Sequence, residues 1–294
     1  MAKPLFRGAA VALVTPFQNG KVDFDALRKL TQMQLESGTA AIVVCGTTGE
    51  PATMTDEEKT QVIRTVVSQV NGKIPVICGT GSNSTAHVVE TEKRYRDLGC
   101  DAQLVVTPYY NKTTQEGLYA HFMHIAENTE LPIILYNVPS RTALDLSVST
   151  LDRLARCEKF IGLKESSYDL PSVMEKIQAI GGRMAVYSGN DDMVYPLLSL
   201  KADGVISVVS NLLPQAMNQI CFSWFSGDFE QALQAQTRVV PLVRALFSEV
   251  SPIPCKHAME LLGLCSGELR LPLIPAGENT QAMLKKALTG LGVL

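Results

Sequence analysis

Several features that define special classes of protein are missing from the 294-residue sequence. No apolar run approaches the roughly 18 residues that a membrane-spanning helix needs. Positive and negative charges nearly balance, with 26 Lys and Arg against 29 Asp and Glu, so no large cationic surface is available for nucleic acid or anionic lipid. The remaining composition, 46% apolar and 19% charged, is that of an ordinary soluble globular chain. We therefore expect neither nucleic acid nor a membrane as a partner.

The cysteines show no pairing pattern. There are seven of them, an odd number, and no two have the CxxC spacing. This pattern is typical of reduced, scattered core thiols rather than of disulfides or a zinc site. Lys3 and Arg7 precede a short apolar run, as in a secretion signal, but no small-residue cleavage site follows. The sequence therefore predicts a cytoplasmic protein.

Short apolar runs alternate with amphipathic stretches along most of the chain, which is typical of parallel βα units. Asp23 begins one helical stretch, and Thr55 with Glu58 forms a capping box before another. Eight strands are predicted, at residues 9–16, 41–46, 75–79, 102–107, 132–138, 160–165, 184–188 and 204–210. An open doubly wound sheet is the alternative. The number of units and the lack of GxGxxG after the first strand favour a closed (β/α)8 TIM barrel.

The pattern changes after Leu213, where helical periodicity continues with no strand between the helices. Four helices are predicted there, at residues 215–225, 229–249, 255–262 and 281–291. The sequence thus predicts a barrel catalytic domain at 1–225 and a C-terminal helical domain at 226–294.

Polar residues follow several of the predicted strands. In a TIM barrel these positions meet at the C-terminal face, where active sites lie. Lys164 comes directly after an apolar run, and burial disfavours the charged form of an amine. Because a neutral amine can attack a carbonyl, Lys164 is a candidate for Schiff-base formation. The alternative is a lysine that reaches solvent or pairs with Glu165.

Two other segments could hold a carboxylate. The GTTGE turn at residues 46–50 offers backbone N–H groups and the hydroxyls of Thr47 and Thr48. Arg141 offers a planar fork that can grip a carboxylate through two parallel hydrogen bonds. Taken singly, the GTTGE turn is equally well explained as an ordinary loop, and Arg141 as a solvated arginine.

Tyrosines at two strand ends can relay protons through their hydroxyls. They are Tyr110, in TPYYNK, and Tyr136, in YNVPSRT. Aromatic packing under a loop is the alternative for each. A lysine, two possible carboxylate sites and two phenols nevertheless all fall at the same end of the predicted barrel. Together they predict a site that captures an α-keto acid as an imine.

The segments that carry these residues are similar to a known family. GTAAIVVCGTTGE, TPYYNK, YNVPSRT and IGLKESS resemble the dihydrodipicolinate synthase / N-acetylneuraminate lyase family of pyruvate-dependent class I aldolases. The resemblance covers essentially the whole chain, including SGNDD, GVISVVSN and PIPCKHAMELLG. It implies a TIM-barrel lyase with no cofactor and no metal. The residues favour the branch that condenses pyruvate with L-aspartate 4-semialdehyde to 4-hydroxy-tetrahydrodipicolinate, in lysine and diaminopimelate biosynthesis.

The resemblance also implies roles for the lysine, the tyrosines and one threonine. Lys164 forms the imine with pyruvate. Tyr136, Thr48 and Tyr110 form a proton relay, in which Tyr110 reaches across from a neighbouring subunit. The expected assembly is therefore a homotetramer, in which oligomerisation completes the site.

Substrate binding is implied in the same way. The pyruvate carboxylate meets Thr47 and Thr48, with backbone contributions from Gly189 and Ile206. Arg141 binds the carboxylate of the semialdehyde, and it favours this branch over sialic acid lyases and keto-deoxy-sugar aldolases. A ligand sensor without turnover is a further alternative, but a sensor has no need of the full relay.

L-Lysine inhibits many members of the family at a dimer interface. Strongly inhibited members have serine, histidines and glutamate at positions where this chain has Pro51, Asp56, Lys59 and His87, although Asn83 and Tyr109 match. Because Lys59 adds positive charge near a cationic effector, we predict weak or absent inhibition. His121 and His124 lie three apart, but no third ligand has the right spacing, so no metal site is predicted.

Overall fold

The computed structural model of the protein describes residues 3–294, so the first two residues of the predicted barrel domain lie outside the described range. The strands are β1 (Gly8–Ala12), β2 (Phe17–Gln18), β3 (Lys21–Val22), β4 (Ala41–Val44), β5 (Val76–Gly79), β6 (Ala102–Val106), β7 (Ile133–Asn137), β8 (Phe160–Glu165), β9 (Ala185–Ser188) and β10 (Gly204–Ser207). Strands β1 and β4 to β10 pair in parallel and close into a barrel, with β10 beside β1. The predicted (β/α)8 TIM barrel is confirmed.

Helices separate the barrel strands and cover their outer surface. They are α1 (Phe24–Glu36), α2 (Asp56–Val70), α3 (Thr85–Arg96), α4 (Gln115–Asn128), α5 (Pro139–Thr142), α6 (Val148–Leu154), α7 (Leu170–Ile180), α8 (Val194–Ser199), α9 (Pro214–Phe225), α10 (Phe229–Leu246), α11 (Ile253–Leu261) and α12 (Glu278–Leu291). The predicted caps are confirmed, since Asp23 accepts from the backbone N–H of Ala26 and Thr55 forms a capping box with Glu58.

The barrel interior is filled mainly by small and aliphatic side chains, among them Ala10, Ala41, Val43, Ile77, Ala102, Leu104, Ile134, Ala185 and Ile206. Tyr187 is a larger interior residue, and its ring stacks on Phe6 with the ring centroids 4.1 Å apart. The Tyr187 hydroxyl also donates to the Phe6 carbonyl at 3.0 Å. Since Phe6 precedes β1, these contacts close the amino-terminal end of the barrel and leave the opposite end for a cavity.

Two predicted strands extend three or more residues beyond the observed ones. The first ends at Ala12 rather than at residue 16, and the last ends at Ser207 rather than at residue 210. Leu13 and Val14, which follow Ala12, are apolar and fully buried, and they pack into the core between the barrel and the helices although they lie outside the strand. Hydropathy does not distinguish such a buried loop from a strand, because both are uniformly apolar.

The four predicted C-terminal helices are all present as α9 to α12. Helix α9 packs against β1, whereas α10 packs against α9 and α12. The division into domains at residues 225 and 226 stays a prediction. Among residues 3–294, no helix combines the length and apolar character needed to cross a membrane.

Candidate active site

A cavity of about 260 Å³ lies at the carboxyl ends of the barrel strands. Six of the eight predicted site residues line it: Thr47, Thr48, Tyr136, Arg141, Lys164 and Gly189. Ile206 lies in the barrel interior on β10, outside this lining, and Tyr110 does not reach the cavity of its own chain. One chain therefore brings together most of the predicted constellation.

Lys164 and Tyr136 are register partners on the adjacent strands β8 and β7. Both side chains are buried, and that of Lys164 is only 6% exposed. The Lys164 Nζ lies 4.3 Å from the centroid of the Tyr136 ring. The alternative pair with Glu165 is not formed, because that side chain points to the other face of the strand and contacts Lys176. The Lys164 amine therefore faces the cavity.

A polar network lies behind this pair on the outer face of the same strands. Asn137, the register partner of Glu165, donates its amide to the Glu165 carboxylate at 2.9 Å. Lys176 on α7 bridges Glu165 at 3.3 Å and Asp145 at 2.6 Å. Burial raises the pKa of the Glu165 carboxyl, while Lys176 opposes that rise. The network ties the ends of β7 and β8 together directly behind Tyr136 and Lys164.

The Thr47–Gly49 turn is a single turn of 3-10 helix at the end of β4. Cys45, two positions before the turn, and Glu50, directly after it, have left-handed backbones at φ 54° and φ 53°, which costs energy for residues other than glycine. Thr15 Oγ1 donates to the Gly49 carbonyl at 2.7 Å and holds the turn against the barrel. A Cβ on Gly79 would lie 2.2 Å from the Cys45 carbonyl oxygen, so only glycine fits beside this turn.

The β9 end forms the wall beside the lysine. Gly189 packs so closely that a Cβ there would lie 3.1 Å from the Lys164 Cε and 1.9 Å from the Ser166 Oγ. The Gly189 N–H donates to the Glu165 carbonyl at 2.7 Å, so its carbonyl is the backbone group left for a ligand. Asp191 is fully buried and accepts from the backbone N–H of Val208 at 3.0 Å, which fixes the chain just after β10. Burial raises the pKa of Asp191, and the Lys164 charge opposes this.

Arg141 stands at the mouth of the cavity on the short helix α5. One of its guanidinium nitrogens donates to the Ser251 carbonyl at 2.9 Å, which links the barrel to the segment between α10 and α11. Across the mouth, the Tyr168 hydroxyl donates to Asp192 at 3.2 Å. Burial, reinforced by Asp192, raises the pKa of Tyr168 to about 12. Apart from Lys164, Arg141 is the only Lys or Arg side chain among the described residues that line the cavity.

Tyr110 is placed differently from the other candidates. Its side chain is 93% exposed, and its backbone is left-handed at φ 68°. Its neighbour Tyr109 is also exposed. The loop after β6 thus presents two adjacent tyrosines to the surface rather than to the cavity of the same chain.

Sequence reasoning missed several residues of the cavity wall: Ser140, Ser166, Tyr168, Asn190 and the segment 247–251. Ser166 and Asn190 each lie within two positions of a predicted site residue, so strand-end position could have identified them. The segment 247–251 carries no such signal, because its first residues were assigned to a predicted helix. Within residues 3–294, no group of three His, Cys, Asp or Glu side chains is arranged to hold a metal ion.

The fold and the cavity together define a (β/α)8-barrel enzyme with a buried lysine at the end of β8. The chain belongs to the dihydrodipicolinate synthetase family, whose family model matches residues 5–291. The resemblance noted in the sequence is confirmed.

Individual relatives agree with this assignment along their whole lengths. A protein of Thermoanaerobacter sp. (strain X514) named 4-hydroxy-tetrahydrodipicolinate synthase is 47% identical over 292 residues, which are 99% of this chain and 98% of that protein. The crystal structure of dihydrodipicolinate synthase from Thermotoga maritima matches with a TM-score of 0.97 at 42% identity, covering 99% of this chain and 100% of that one. The chloride-inhibited dihydrodipicolinate synthase from Acinetobacter baumannii, complexed with pyruvate, matches with a TM-score of 0.95 at 46% identity, covering 98% and 99%.

Proposed function

We propose that the protein condenses pyruvate with L-aspartate 4-semialdehyde to form 4-hydroxy-tetrahydrodipicolinate. The observation that carries this proposal is the placement of Lys164 beside Tyr136 in one cavity with the Thr47–Gly49 turn and Arg141. The pyruvate complex of the Acinetobacter baumannii relative supports pyruvate as the first substrate. The name shared by the curated relatives supports the overall reaction.

The Lys164 amine attacks the keto carbon of pyruvate, and loss of water gives the imine. Loss of a methyl proton converts the imine to an enamine. The enamine carbon then attacks the aldehyde carbon of the semialdehyde, whose oxygen takes up a proton and becomes a hydroxyl. Finally the amino group of the semialdehyde attacks the imine carbon, which closes the ring and releases Lys164.

Each of these steps moves a proton, which the proposed relay either accepts, as from the methyl group, or donates, as to the aldehyde oxygen. Tyr136 is the nearest member, because its ring lies directly against the Lys164 amine. Thr48 is buried in the same cavity and connects the relay to the turn. Tyr110 of a neighbouring subunit completes the relay, which accounts for a tyrosine that is almost fully exposed in the single chain.

Two carboxylate sites lie on different parts of the cavity wall. Thr47 and Thr48 hold the carboxylate of pyruvate near Lys164, with backbone groups of Gly189 and Ile206 completing the pyruvate site. Because the Gly189 N–H is already bonded, Gly189 has only its carbonyl to offer, which accepts from a donor on the substrate held at Lys164 and does not bind the carboxylate. Arg141 holds the carboxylate of the semialdehyde at the mouth, since its guanidinium keeps free donors after bonding Ser251.

The proposed assembly is a cytoplasmic homotetramer built as a dimer of dimers. One interface carries the exposed Tyr109 and Tyr110. A second, mostly apolar surface lies on α7 and beside Leu200. It is lined by Pro171, Met174, Ile177 and Leu200, together with the polar Glu175 and Gln178. Two separate surfaces are what a dimer of dimers requires, because each symmetry axis needs its own patch.

The proposal is tested by trapping the imine with borohydride in the presence of pyruvate, followed by peptide mapping and a coupled assay with the semialdehyde. We expect an adduct on Lys164 in the wild type and in Arg141→Ala. Turnover in Arg141→Ala should fall about 100-fold, because the bound carboxylate loses charge-assisted hydrogen bonds. Arg156→Ala is a matched control, since that arginine pairs with Asp152 on the surface and should keep wild-type turnover.

Each other result has a definite meaning. An adduct without turnover of the semialdehyde in the wild type would assign the protein to another aldolase, such as one that cleaves a sialic acid or a keto-deoxy sugar. No adduct at all would remove the imine mechanism and leave the ligand-sensor alternative.

Inhibition by L-lysine is predicted to be weak or absent. The structure adds a reason, because Asp56 is already paired with Lys59 at 2.8 Å and with Arg94 at 3.1 Å. These two cations lower the pKa of the Asp56 carboxyl and would repel the ammonium groups of lysine. A titration of the activity with L-lysine checks this, and strong inhibition at physiological concentration would contradict it.

A further inference from the structure

Lys256, on α11, is a fully buried lysine outside the cavity. Its Nζ lies 2.6 Å from the Glu50 Oε1, and the two side chains are 0% and 1% exposed. The same ammonium donates to the Glu268 carbonyl at 2.9 Å and lies 4.0 Å from the centroid of the Phe17 ring. The Lys256 ammonium is therefore stabilised by a carboxylate, a backbone carbonyl and an aromatic ring. These partners belong to the turn after β4, the C-terminal segment and the β2–β3 hairpin.

The partner of this lysine belongs to the turn on the cavity wall. Glu50 directly follows the Thr47–Gly49 turn, and its N–H donates to the Thr47 carbonyl at 3.2 Å. Its carbonyl accepts from the Thr53 N–H at 3.2 Å. Because its backbone is left-handed at φ 53°, this conformation depends on contacts that hold the side chain in place.

We propose that Lys256 is a positioning residue for the cavity: through its buried ion pair with Glu50, it holds Thr47 and Thr48 in the orientation that binds the substrate carboxylate. This inference rests on the proposed role of the turn in binding pyruvate. Thr15 holds the same turn from the barrel side through the Gly49 carbonyl. The turn is thus fixed once by the barrel and once by the C-terminal helices.

A charged partner is needed at position 256 because the Glu50 carboxylate is buried. Removal of one member of a buried pair leaves the other charge without compensation. Moving Glu50 toward water relieves this cost, and such a movement rotates the backbone beside the Thr47–Gly49 turn. A shift of about 1 Å in a substrate-positioning group can weaken function strongly.

The test measures how much pyruvate half-saturates borohydride trapping on Lys164, a readout that needs no second substrate. We expect Lys256→Met to raise this concentration about tenfold, while the extent of labelling at saturating pyruvate stays that of the wild type. Glu50→Gln should also raise the half-saturating pyruvate concentration. Lys256→Arg, which keeps the charge, should recover part of the affinity.

Leu288→Ala is the matched control. Leu288 is fully buried on α12, so the variant weakens the C-terminal helices without removing the ion pair. It should keep the half-saturating concentration within about twofold of the wild type. A purely structural role for Lys256 predicts instead that stability falls and the half-saturating concentration stays constant in all of these variants.

The proposal is overturned if Lys256→Met and Glu50→Gln saturate at the wild-type concentration, or if Leu288→Ala raises that concentration as much as Lys256→Met does. If Lys256→Met does not fold, Glu50→Gln alone decides, because it keeps the size of the side chain. A wild-type protein with no adduct overturns the proposed function and this inference together. An adduct with unchanged affinity in the variants overturns this inference alone.

Discussion

Two buried lysines support the cavity from opposite sides, and each pairs with a glutamate that follows a site residue. Lys176 on α7 pairs with Glu165, next to Lys164, and Lys256 on α11 pairs with Glu50, beside the Thr47–Gly49 turn. The first pair belongs to a network that includes Asn137 and Asp145, of which Asp145 is 44% exposed. The second pair is enclosed and does not reach the surface.

This difference shows how two parts of one cavity are stabilised. Near Lys164, the Glu165 carboxylate keeps hydrogen bonds from Asn137 and from the Ser167 N–H even without its lysine. Near the turn, the Glu50 carboxylate has only one longer contact besides Lys256, from the Arg270 N–H at 3.4 Å. The ends of β7 and β8 near Lys164 are therefore held by several shared hydrogen bonds, whereas the attachment of the turn to the C-terminal helices depends largely on a single ion pair.

The largest expected effect is a difference in stability between two matched variants. Lys256→Met should lower the free energy of unfolding by about 3–5 kcal/mol, the usual cost of leaving a buried charge without its partner. Lys176→Met should cost less, about 1–3 kcal/mol, because Glu165 retains other donors. Chemical denaturation at pH 7 and a fixed protomer concentration measures both. Equal losses, or a greater loss for Lys176→Met, would remove the distinction between the two regions.

A second prediction concerns the pH dependence of stability. One titrating group in each pair, Glu165 and Lys256, has a pKa shifted by burial, and the two shifts affect stability in different pH ranges. Burial raises the pKa of Glu165 in the folded protein above the unfolded pKa, which is near 4.5. The protonated Glu165 carboxyl therefore stabilises the folded protein fully below the unfolded pKa, and this stabilisation is lost as pH rises through the folded pKa. Burial lowers the pKa of Lys256 from 10.5 in the folded protein. The neutral Lys256 amine therefore stabilises the folded protein above pH 10.5, and this stabilisation is lost as pH falls through the folded pKa.

Glu165→Gln should therefore flatten the dependence of stability on pH just above 4.5 and leave the alkaline range unchanged. Lys256→Met should flatten the dependence below 10.5. Unfolding free energies measured across both ranges test the pair of expectations. A change of slope below pH 10.5 in Glu165→Gln would mean that the two ion pairs are coupled.

Much of the barrel could be predicted from the sequence, because parallel strands covered on both faces are uniformly apolar and regularly spaced. The ends of the strands could not, since buried residues such as Leu13 continue the apolar pattern into a loop. The β2 and β3 hairpin was missed although it has a local signal. Asn19 and Gly20 form its turn, both with positive φ, as that type of hairpin turn requires.

The cavity residues that lie at strand ends could be predicted from the sequence. The contacts between segments distant in the chain could not. Thr47, Tyr136 and Lys164 each end a strand or follow one closely, so barrel geometry brings them together. The pairing of Glu50 with Lys256 has no sequence signal, because the two residues are far apart in the chain and each lies in an otherwise ordinary pattern. Their contact depends on how the C-terminal helices pack against the barrel, which periodicity does not specify.

The smallest expected effect concerns Arg270, which joins the C-terminal segment to the start of α2 near the turn. Its guanidinium binds both carboxylate oxygens of Glu58, at 2.6 and 2.8 Å, and lowers the pKa of that carboxyl from 4.5 to about 2. The contribution of this ion pair to the free energy of unfolding is present above pH 4.5 and is lost as pH falls toward 2. Because water screens this partly exposed pair, Arg270→Met should cost only about 1 kcal/mol at pH 7.

Acid unfolding of Arg270→Met between pH 4.5 and pH 2 measures this contribution directly. The variant should lose less stability than the wild type over that range, because its Glu58 is already closer to the ordinary pKa. Pyruvate affinity should stay near the wild-type value, since Lys256 still holds Glu50. If Arg270→Met raised the half-saturating pyruvate concentration as much as Lys256→Met does, the turn would be held by both cations together. The turn would then no longer differ from the Lys164 side of the cavity by its dependence on a single ion pair.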